Sequence, residues 1–163
     1  MQDELEKSIG KKILLIEPVP YNLKELKERV KKFPEVIIEP TAISDKDEII
    51  PFYYIKRSSI EKLKKHWASG IGSFEKDHIL NHKNKRFKIQ EEDIQTVEVE
   101  FITFSDLIKK YSINSIDKLQ IDVEGAEYMI MNSINYQEIK INKIFFESKH
   151  FDGTFNEGNK LKE

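Results

Sequence analysis

The chain has 163 residues, which is the length of one ordinary domain, so we expect residues 1–163 to form a single domain. It is 39% hydrophobic and 34% charged, which excludes a disordered polypeptide because enough apolar side chains are present to build a core. The 27 basic and 29 acidic side chains nearly cancel, and this balance argues against a nucleic-acid partner. The absence of cysteine excludes disulfides, thiolate metal sites and a cysteine nucleophile.

No apolar run approaches the roughly 18 residues needed to span a bilayer, which predicts a protein without membrane contact. The first six residues carry acids where a signal peptide would carry bases. We therefore expect a cytoplasmic protein.

The chain opens with a pattern typical of a strand, helix, strand unit. Residues 11–17 (KKILLIE) form an aliphatic run that predicts an inner parallel strand buried on both faces. Asn22 and Glu25 have the spacing of a capping box, and the helix that follows should end before Pro34. Residues 35–39 (EVIIE) predict a second strand, joined to the first by a right-handed parallel crossover.

The middle of the chain is less regular. Residues 41–47 (TAISDKD) predict a loop, and residues 49–55 (IIPFYYI) an edge or antiparallel strand because they include a proline. Residues 56–93 combine glycines with dense charge, so they are interpreted as an irregular insertion with at least one short helix. Residues 95–101 alternate apolar and polar side chains, as a half-buried strand does.

The second half repeats the strand, helix, strand theme. Thr103 and Asp106 can cap a helix with an apolar face formed by Phe104, Leu107, Ile108 and Tyr111. A strand at 118–123, a helix at about 124–133 and a strand at 142–147 follow. The alternation predicts an α/β fold with a mostly parallel sheet.

Three of the predicted parallel strands end in acids, namely Glu17, Asp122 and Glu147. Ligands of open parallel sheets bind beyond the carboxyl ends of the strands, so these acids should share one rim. A carboxylate in this position can accept hydrogen bonds from both hydroxyls of a ribose, and Glu17 is the candidate for that role. The alternative is that Glu17 only ends a strand before a proline turn.

Residues 122–127 (DVEGAE) form the densest cluster of candidate functional residues, and their three carboxylates surround a predicted strand-to-helix turn. Acids in the first turn of a helix are favourable because of the helix dipole, and this explanation suits Glu124 and Glu127. It suits Asp122 less well because Asp122 ends a strand. Asp122 is therefore the stronger functional candidate.

The insertion carries His66, Trp67, His78 and His82. His78 and His82 are four residues apart, but two histidines bind zinc only with a third ligand and there is no HExxH pattern, so we predict no metal site. His66 and Trp67 are candidates for binding a substrate, since Trp67 offers a flat apolar face to a ring. The alternative is that Trp67 fills the core.

Three segments together resemble one family. Residues 116–130 (IDKLQIDVEGAEYMI) look like the most recognisable motif of FkbM-type methyltransferases, residues 16–22 (IEPVPYN) resemble its earlier EP.P.N motif, and residues 41–45 (TAISD) match the loop that follows. The resemblance implies a Rossmann-like class I fold and S-adenosylmethionine as cofactor. It also implies methyl transfer, generally to a hydroxyl oxygen, here of a glycan or small metabolite.

The resemblance also implies roles for individual residues. Glu17 would hold the ribose, and Ile43, Ser44 and Asp45 would lie near the adenine. Asp122 would face the methyl-transfer centre. With this reaction in view, Asn22 is a further candidate for cofactor binding, and Asp122 is the first candidate for the base, followed by Glu124 and by His150, which comes just after the last predicted strand. The 56–93 insertion is expected to cover the acceptor site, with His66, Trp67 and Glu147 as candidates for binding the acceptor.

The family's glycine-rich strand and turn have no counterpart before Lys11, and the C-terminal end is short. We therefore expect an incomplete sheet with unpaired strand edges at 11–17 and 118–122, through which homo-oligomers can form. Two rival functions remain open. One is a binding module that has the fold without catalysis, and the other is a NAD- or nucleotide-dependent enzyme, which the absence of G-x-G-x-x-G and G-x-x-x-x-G-K-[ST] disfavours.

Overall fold

The computed structural model describes residues 10–63, 66–80, 89–123 and 126–146. Strands and α-helices follow one another along this part of the chain as β1 Ile13–Ile16, α1 Pro20–Val30, β2 Val36–Glu39, β3 Ala42–Ser44, β4 Glu48–Ile55, α2 Arg57–Leu63, β5 Gly72–Ser73, α3 Lys76–Leu80, β6 Ile94–Thr103, α4 Phe104–Lys110, β7 Ser115–Ile116, β8 Leu119–Ile121, α5 Glu127–Ser133, β9 Lys140–Ile141 and β10 Ile144–Phe146. Short 3-10 helices occupy His66–Gly70 and Glu91–Asp93. Over these described residues, no helix combines the length and the apolar character that crossing a membrane requires.

The first unit folds as expected, since β1 and β2 pair in parallel and α1 connects them. Leu26 and Val30 of α1, with Phe33, pack on alternate residues of the two strands. The helix begins at Pro20, however, and Val19 is its N-cap residue without a side-chain cap. The predicted capping role of Asn22 is therefore wrong, and proline at the first helical position supplies the helical φ instead.

The expectation that the first strand is buried on both faces is also wrong for the described residues. Only one face of the β1–β2 pair is covered by α1 there, and Ile16 and Ile37 are 38% and 40% exposed. In the described residues, β2 is the strand that pairs with β1.

The expectation of one mostly parallel, Rossmann-like sheet is not confirmed. The described strands form four sheets, and the largest, in the order β3-β6-β4-β5, is mixed. β3 runs parallel to β6, whereas β4 runs antiparallel to both β6 and β5. Only residues 45–47 separate β3 from β4, and a connection this short reverses the chain because a parallel crossover needs a dozen residues or more.

One prediction for the middle of the chain needs correction, because residues 41–47, predicted to be a loop, contain β3. The 56–93 insertion contains the short helices α2 and α3, and at least one short helix was predicted there. Its described residues share a core with the ends of β4 and β6. This core consists of Ile55, Ile60, Ala68, Ile71, Ile79, Ile89 and Ile94.

The second half places its strands in short parallel pairs, β8 with β10 and β7 with β9. The Thr103 hydroxyl accepts a hydrogen bond from the Asp106 backbone N–H at 3.0 Å, which confirms the predicted cap of α4. Phe104, Leu107 and Ile108 are buried, as their spacing predicts. Ile121 packs against α5, so β8 enters the core on the side of that helix.

Candidate active site

A large cleft separates the β1–β2 pair from the β8–β10 pair. Its volume is about 1850 Å³, and β1, β8, α4, α5 and the turn after β5 contribute to its walls. The cleft brings together five of the side chains singled out in the sequence, which are Glu17, Asn22, Ile43, Asp45 and Asp122. The lining runs along both β1 and β8, so the residues at the carboxyl ends of the two strands border one common space.

Glu17 directly follows β1 and lies half-buried at the start of α1. Its Oε1 accepts a hydrogen bond from the Val19 backbone N–H at 2.8 Å, and its Oε2 accepts one from the Asn22 amide at 3.2 Å. Burial raises the pKa of Glu17 above its ordinary value, although the two hydrogen bonds oppose that shift. The carboxylate is held in one orientation by two donors, and it retains free acceptor positions.

Asn22 and its neighbour Tyr21 connect this acid to the 56–93 segment. The Asn22 amide nitrogen, which donates to Glu17, also donates to the Ser69 carbonyl oxygen at 2.9 Å. The Tyr21 hydroxyl lies 3.2 Å from the Ile55 carbonyl oxygen and 3.4 Å from that of Ser69. Asn22 thus contacts Glu17 through the amide that also anchors the turn around Ser69.

The segment after β3 contributes an apolar and an acidic side chain. Ile43 and Asp45 line the cleft, while Ser44 is buried and donates a hydrogen bond from its hydroxyl to Asp45 Oδ1 at 3.2 Å. Ser44 therefore contacts the neighbouring acid, and it is absent from the cleft lining.

Asp122 follows β8 at its carboxyl end, is exposed and lines the cleft. Glu127, by contrast, is 3% exposed, and its Oε1 accepts a hydrogen bond from the Val123 backbone N–H at 3.3 Å. Asp122 is thus exposed at the cleft, whereas Glu127 is enclosed by the protein. Glu124, Glu147 and His150 lie outside the described residues.

An aromatic wall of the cleft was not expected from the sequence. Phe74, in the turn after β5, is 36% exposed and packs edge-on against Phe101 of β6, with ring centroids 6.3 Å apart. Phe52 of β4 lies 6.2 Å from Phe101. The Phe74 and Phe101 side chains come from segments 27 residues apart, so no local pattern indicates the cluster. The side chains of His66 and Trp67, and all of His82, lie outside the described part of the structure, whereas His78 lines the cleft.

A second missed feature holds β2 against α4. Glu39 is 1% exposed, and its Oε2 accepts hydrogen bonds from the Tyr111 hydroxyl at 2.6 Å and from Lys110 Nζ at 2.7 Å. Although burial opposes ionisation, these donors hold the pKa of Glu39 below its ordinary value. Tyr111 also lines the cleft, so this ion pair fixes part of its wall.

Charged side chains are distributed unevenly among the described residues that line the cleft. Lys11, before β1, forms an ion pair with Asp117, before β8, at 3.8 Å, so this pair joins the two walls at the amino ends of their strands. The carboxyl ends carry the acids Glu17 and Asp122. The described rim at the carboxyl ends is therefore suited to a neutral or positively charged group. In the part of the chain that the structure covers, no group of three or more His, Asp or Glu side chains is placed to hold a metal ion.

Comparison with protein families gives one match, to the methyltransferase FkbM domain, over residues 4–161. Comparison with curated proteins and with solved structures gives no significant match. The family match covers nearly the whole chain, including every element that lines the cleft. The chain therefore belongs to the methyltransferase FkbM domain family.

Proposed function

We propose that the protein transfers a methyl group from S-adenosylmethionine to a hydroxyl oxygen of a glycan or small metabolite, in the cleft between β1 and β8. The observation that supports this most is the convergence of Glu17 and Asp122 on one cleft in a chain of a methyltransferase family. In this proposal Glu17 binds the cofactor and Asp122 acts on the acceptor.

The surroundings of Glu17 fit a ribose. A carboxylate has about four acceptor positions, and the Val19 and Asn22 donors use two of them. Two positions are left for the two hydroxyls of a ribose. Ile43 supplies an apolar surface against which an adenine ring can lie, and Asp45 can accept a hydrogen bond from its amino group. When bound, S-adenosylmethionine would supply a methyl group on a positively charged sulfur that departs without needing a proton.

Asp122 would accept the proton of the acceptor hydroxyl, since it is exposed and lines the cleft at the carboxyl end of β8. A positioned base of this kind contributes roughly 10²–10⁴-fold to the rate of a reaction. Phe74 and its neighbours offer an apolar face on which a sugar ring or similar acceptor can stack. The cytoplasmic location, and association of copies through strand edges, stay predictions from the sequence.

The first test is calorimetric titration with S-adenosylmethionine, S-adenosylhomocysteine, NAD and ATP. We expect the first two to bind and the last two not to bind. Selective binding of NAD or ATP would contradict the proposal, and binding of S-adenosylmethionine without turnover on any hydroxyl acceptor would favour a binding module.

The second test is Asp122→Asn, which keeps the size of the side chain but removes the base. We expect turnover to fall by roughly 10²–10⁴-fold while S-adenosylhomocysteine binds as in the parent protein. Asp117→Asn is the matched control, because Asp117 is an exposed acid at the opposite end of β8. Turnover of Asp122→Asn within a few-fold of the parent would show that Asp122 is not the base.

A further inference from the structure

Asn22 occupies an unusual position between two groups that belong to different parts of the chain. Its single amide nitrogen donates to Glu17 Oε2 at 3.2 Å and to the Ser69 carbonyl oxygen at 2.9 Å. An amide nitrogen carries two hydrogens, so both donors of Asn22 are used within the protein. Asn22 therefore has no remaining donor for a ligand, and it can act on a ligand through its amide oxygen, through Glu17 or through the turn at Ser69.

We propose that Asn22 is a positioning residue that couples Glu17 to the turn formed by residues 66–71, so that the orientation of the acid and the position of the turn depend on each other. Its consequence for ligand binding rests on the proposed function, in which Glu17 binds the ribose. The turn belongs to the 56–93 segment, and that segment also carries Phe74 on the aromatic wall of the cleft. The coupling thus links the cofactor side of the cleft to its acceptor side.

The geometry makes this coupling specific to Asn22. Tyr21 also contacts the Ser69 carbonyl oxygen, at 3.4 Å, but its hydroxyl makes its other contact with the Ile55 carbonyl oxygen. Tyr21 therefore holds the same turn without a hydrogen bond to Glu17. This difference provides a variant, Tyr21→Phe, that loosens the turn and leaves the link between the turn and the acid in place.

The charges around Glu17 indicate how the coupling affects protonation. Burial raises the pKa of Tyr21 on α1, and the charge of nearby Glu17 raises it further. Arg57 at the start of α2 stacks on the Tyr21 ring and pairs with Glu25 at 2.8 Å. Burial raises the pKa of Glu17, while hydrogen bonds from Val19 and Asn22 lower it. Loss of the Asn22 donor should therefore raise the pKa of Glu17 further.

The first experiment needs no ligand and measures the coupling alone. It compares hydrogen exchange in the parent, Glu17→Gln, Asn22→Ala and the double variant. The readout is the Ile71 backbone amide, which donates to the Ala68 carbonyl oxygen at 3.3 Å beside the anchored Ser69. The reference is the Ile130 amide, which donates to the Ala126 carbonyl oxygen in α5. A change at Ile71 without a change at Ile130 is local and does not reflect general destabilisation.

In Glu17→Gln, one carboxylate oxygen becomes an amide donor that faces either Val19 or the Asn22 amide. The Asn22 hydrogen bond is then either lost or weakened, because its acceptor no longer carries a charge. We expect Glu17→Gln and Asn22→Ala each to speed Ile71 exchange about two- to tenfold, the range for one net hydrogen bond. In the double variant the effect of Glu17→Gln should disappear, because the connection is already broken. In the Tyr21→Phe background it should persist. Additive effects of Glu17→Gln and Asn22→Ala would overturn the coupling, whether or not the protein binds S-adenosylmethionine.

The second experiment measures binding of S-adenosylhomocysteine between pH 5 and pH 8. We expect the loss of affinity on acidification to begin at a higher pH in Asn22→Ala than in the parent. We also expect bound S-adenosylhomocysteine to slow Ile71 exchange in the parent but not in this variant. Asn142→Ala is the matched control, because the Asn142 amide donates to Asp117 at the same distance of 3.2 Å. If the parent protein does not bind S-adenosylhomocysteine, the proposed function is refuted. The coupling is then decided by the hydrogen-exchange experiment, which uses no ligand. Binding with an unchanged pH profile in Asn22→Ala would overturn the inference.

Discussion

The buried Glu39 carboxylate, with its hydrogen bond from Tyr111 and its ion pair with Lys110, gives a stability prediction whose size follows from the contacts. Tyr111→Phe removes a 2.6 Å hydrogen bond to a carboxylate that is 1% exposed. Hydrogen bonds to charged groups contribute about 1.5–3 kcal/mol, and the lower end applies because Lys110 still donates to Glu39 Oε2. We expect the free energy of unfolding to fall by about 1.5 kcal/mol.

Glu39→Gln should cost more than Tyr111→Phe. The glutamine oxygen can take the place of Oε2, which receives both donors, but the amide nitrogen then replaces Oε1 in a buried site. A buried polar group without a partner costs about 1–3 kcal/mol in addition to the lost charge. We expect a total of about 3 kcal/mol. Lys110 is half-exposed and can turn into water, so its loss of a partner adds little.

The assay is urea unfolding followed by circular dichroism, with Tyr136→Phe as the matched control. The Tyr136 hydroxyl donates to the neutral Met131 carbonyl oxygen at 3.1 Å on a side chain that is 53% exposed, so its loss should cost much less. Equal midpoints for Tyr111→Phe and Tyr136→Phe would refute the reasoning, because they would show that the charge and burial of Glu39 contribute nothing.

The pH dependence of the same pair has a definite sign. The folded-state pKa of Glu39 lies below the ordinary value of 4.5, so its ionised form contributes stability above the unfolded-state pKa and loses it as the pH falls through the folded-state pKa. The stability difference between the parent and Glu39→Gln should therefore shrink below about pH 4.5. A difference that grows on acidification would contradict the assignment.

Three further predictions concern the walls of the cleft. A Cβ at Gly72 would lie 2.7 Å from the Phe52 ring, so Gly72→Ala should lower the free energy of unfolding by about 1–3 kcal/mol. Gly70 has open space around it, so Gly70→Ala should not, and urea midpoints check both variants. Thr103→Ala removes the cap of α4 and should cost about 1 kcal/mol in the same assay. Because burial raises the pKa of Glu17, affinity for S-adenosylmethionine should rise as the pH increases through a value above 4.5, and Glu17→Gln should lose this dependence in calorimetry.

Features set by neighbouring residues could be predicted from the sequence. The Thr103 cap was predictable because its partner, Asp106, is three residues away. The parallel pairing of β1 with β2 followed from two apolar runs joined by a helical pattern. The presence of Glu17 and Asp122 on one cleft followed from the rule that ligands bind at the carboxyl ends of parallel strands.

Features set by distant residues could not be predicted. Asn22 has the sequence pattern of a helix cap, but its amide finds the Ser69 carbonyl oxygen 47 residues away. Glu39 ends a strand, and the tyrosine whose hydroxyl donates to it, Tyr111, is 72 residues away. Tertiary hydrogen bonds of this kind override local preferences. The strand β3 was missed because three residues carry too little periodicity to separate a strand from a loop.

The uneven distribution of charge along the cleft has a kinetic consequence. An electric field from acids at one end attracts a cation before it makes contact, and salt screens this attraction over about 8–10 Å. S-adenosylmethionine and S-adenosylhomocysteine have nearly the same shape, but they differ by one methyl group and one positive charge. A difference between their association rates therefore reports on the electric field. Association of the charged ligand should slow as ionic strength rises, while association of the other ligand changes little. The ratio of the two association rate constants would then report the electrostatic potential at the carboxyl ends of β1 and β8.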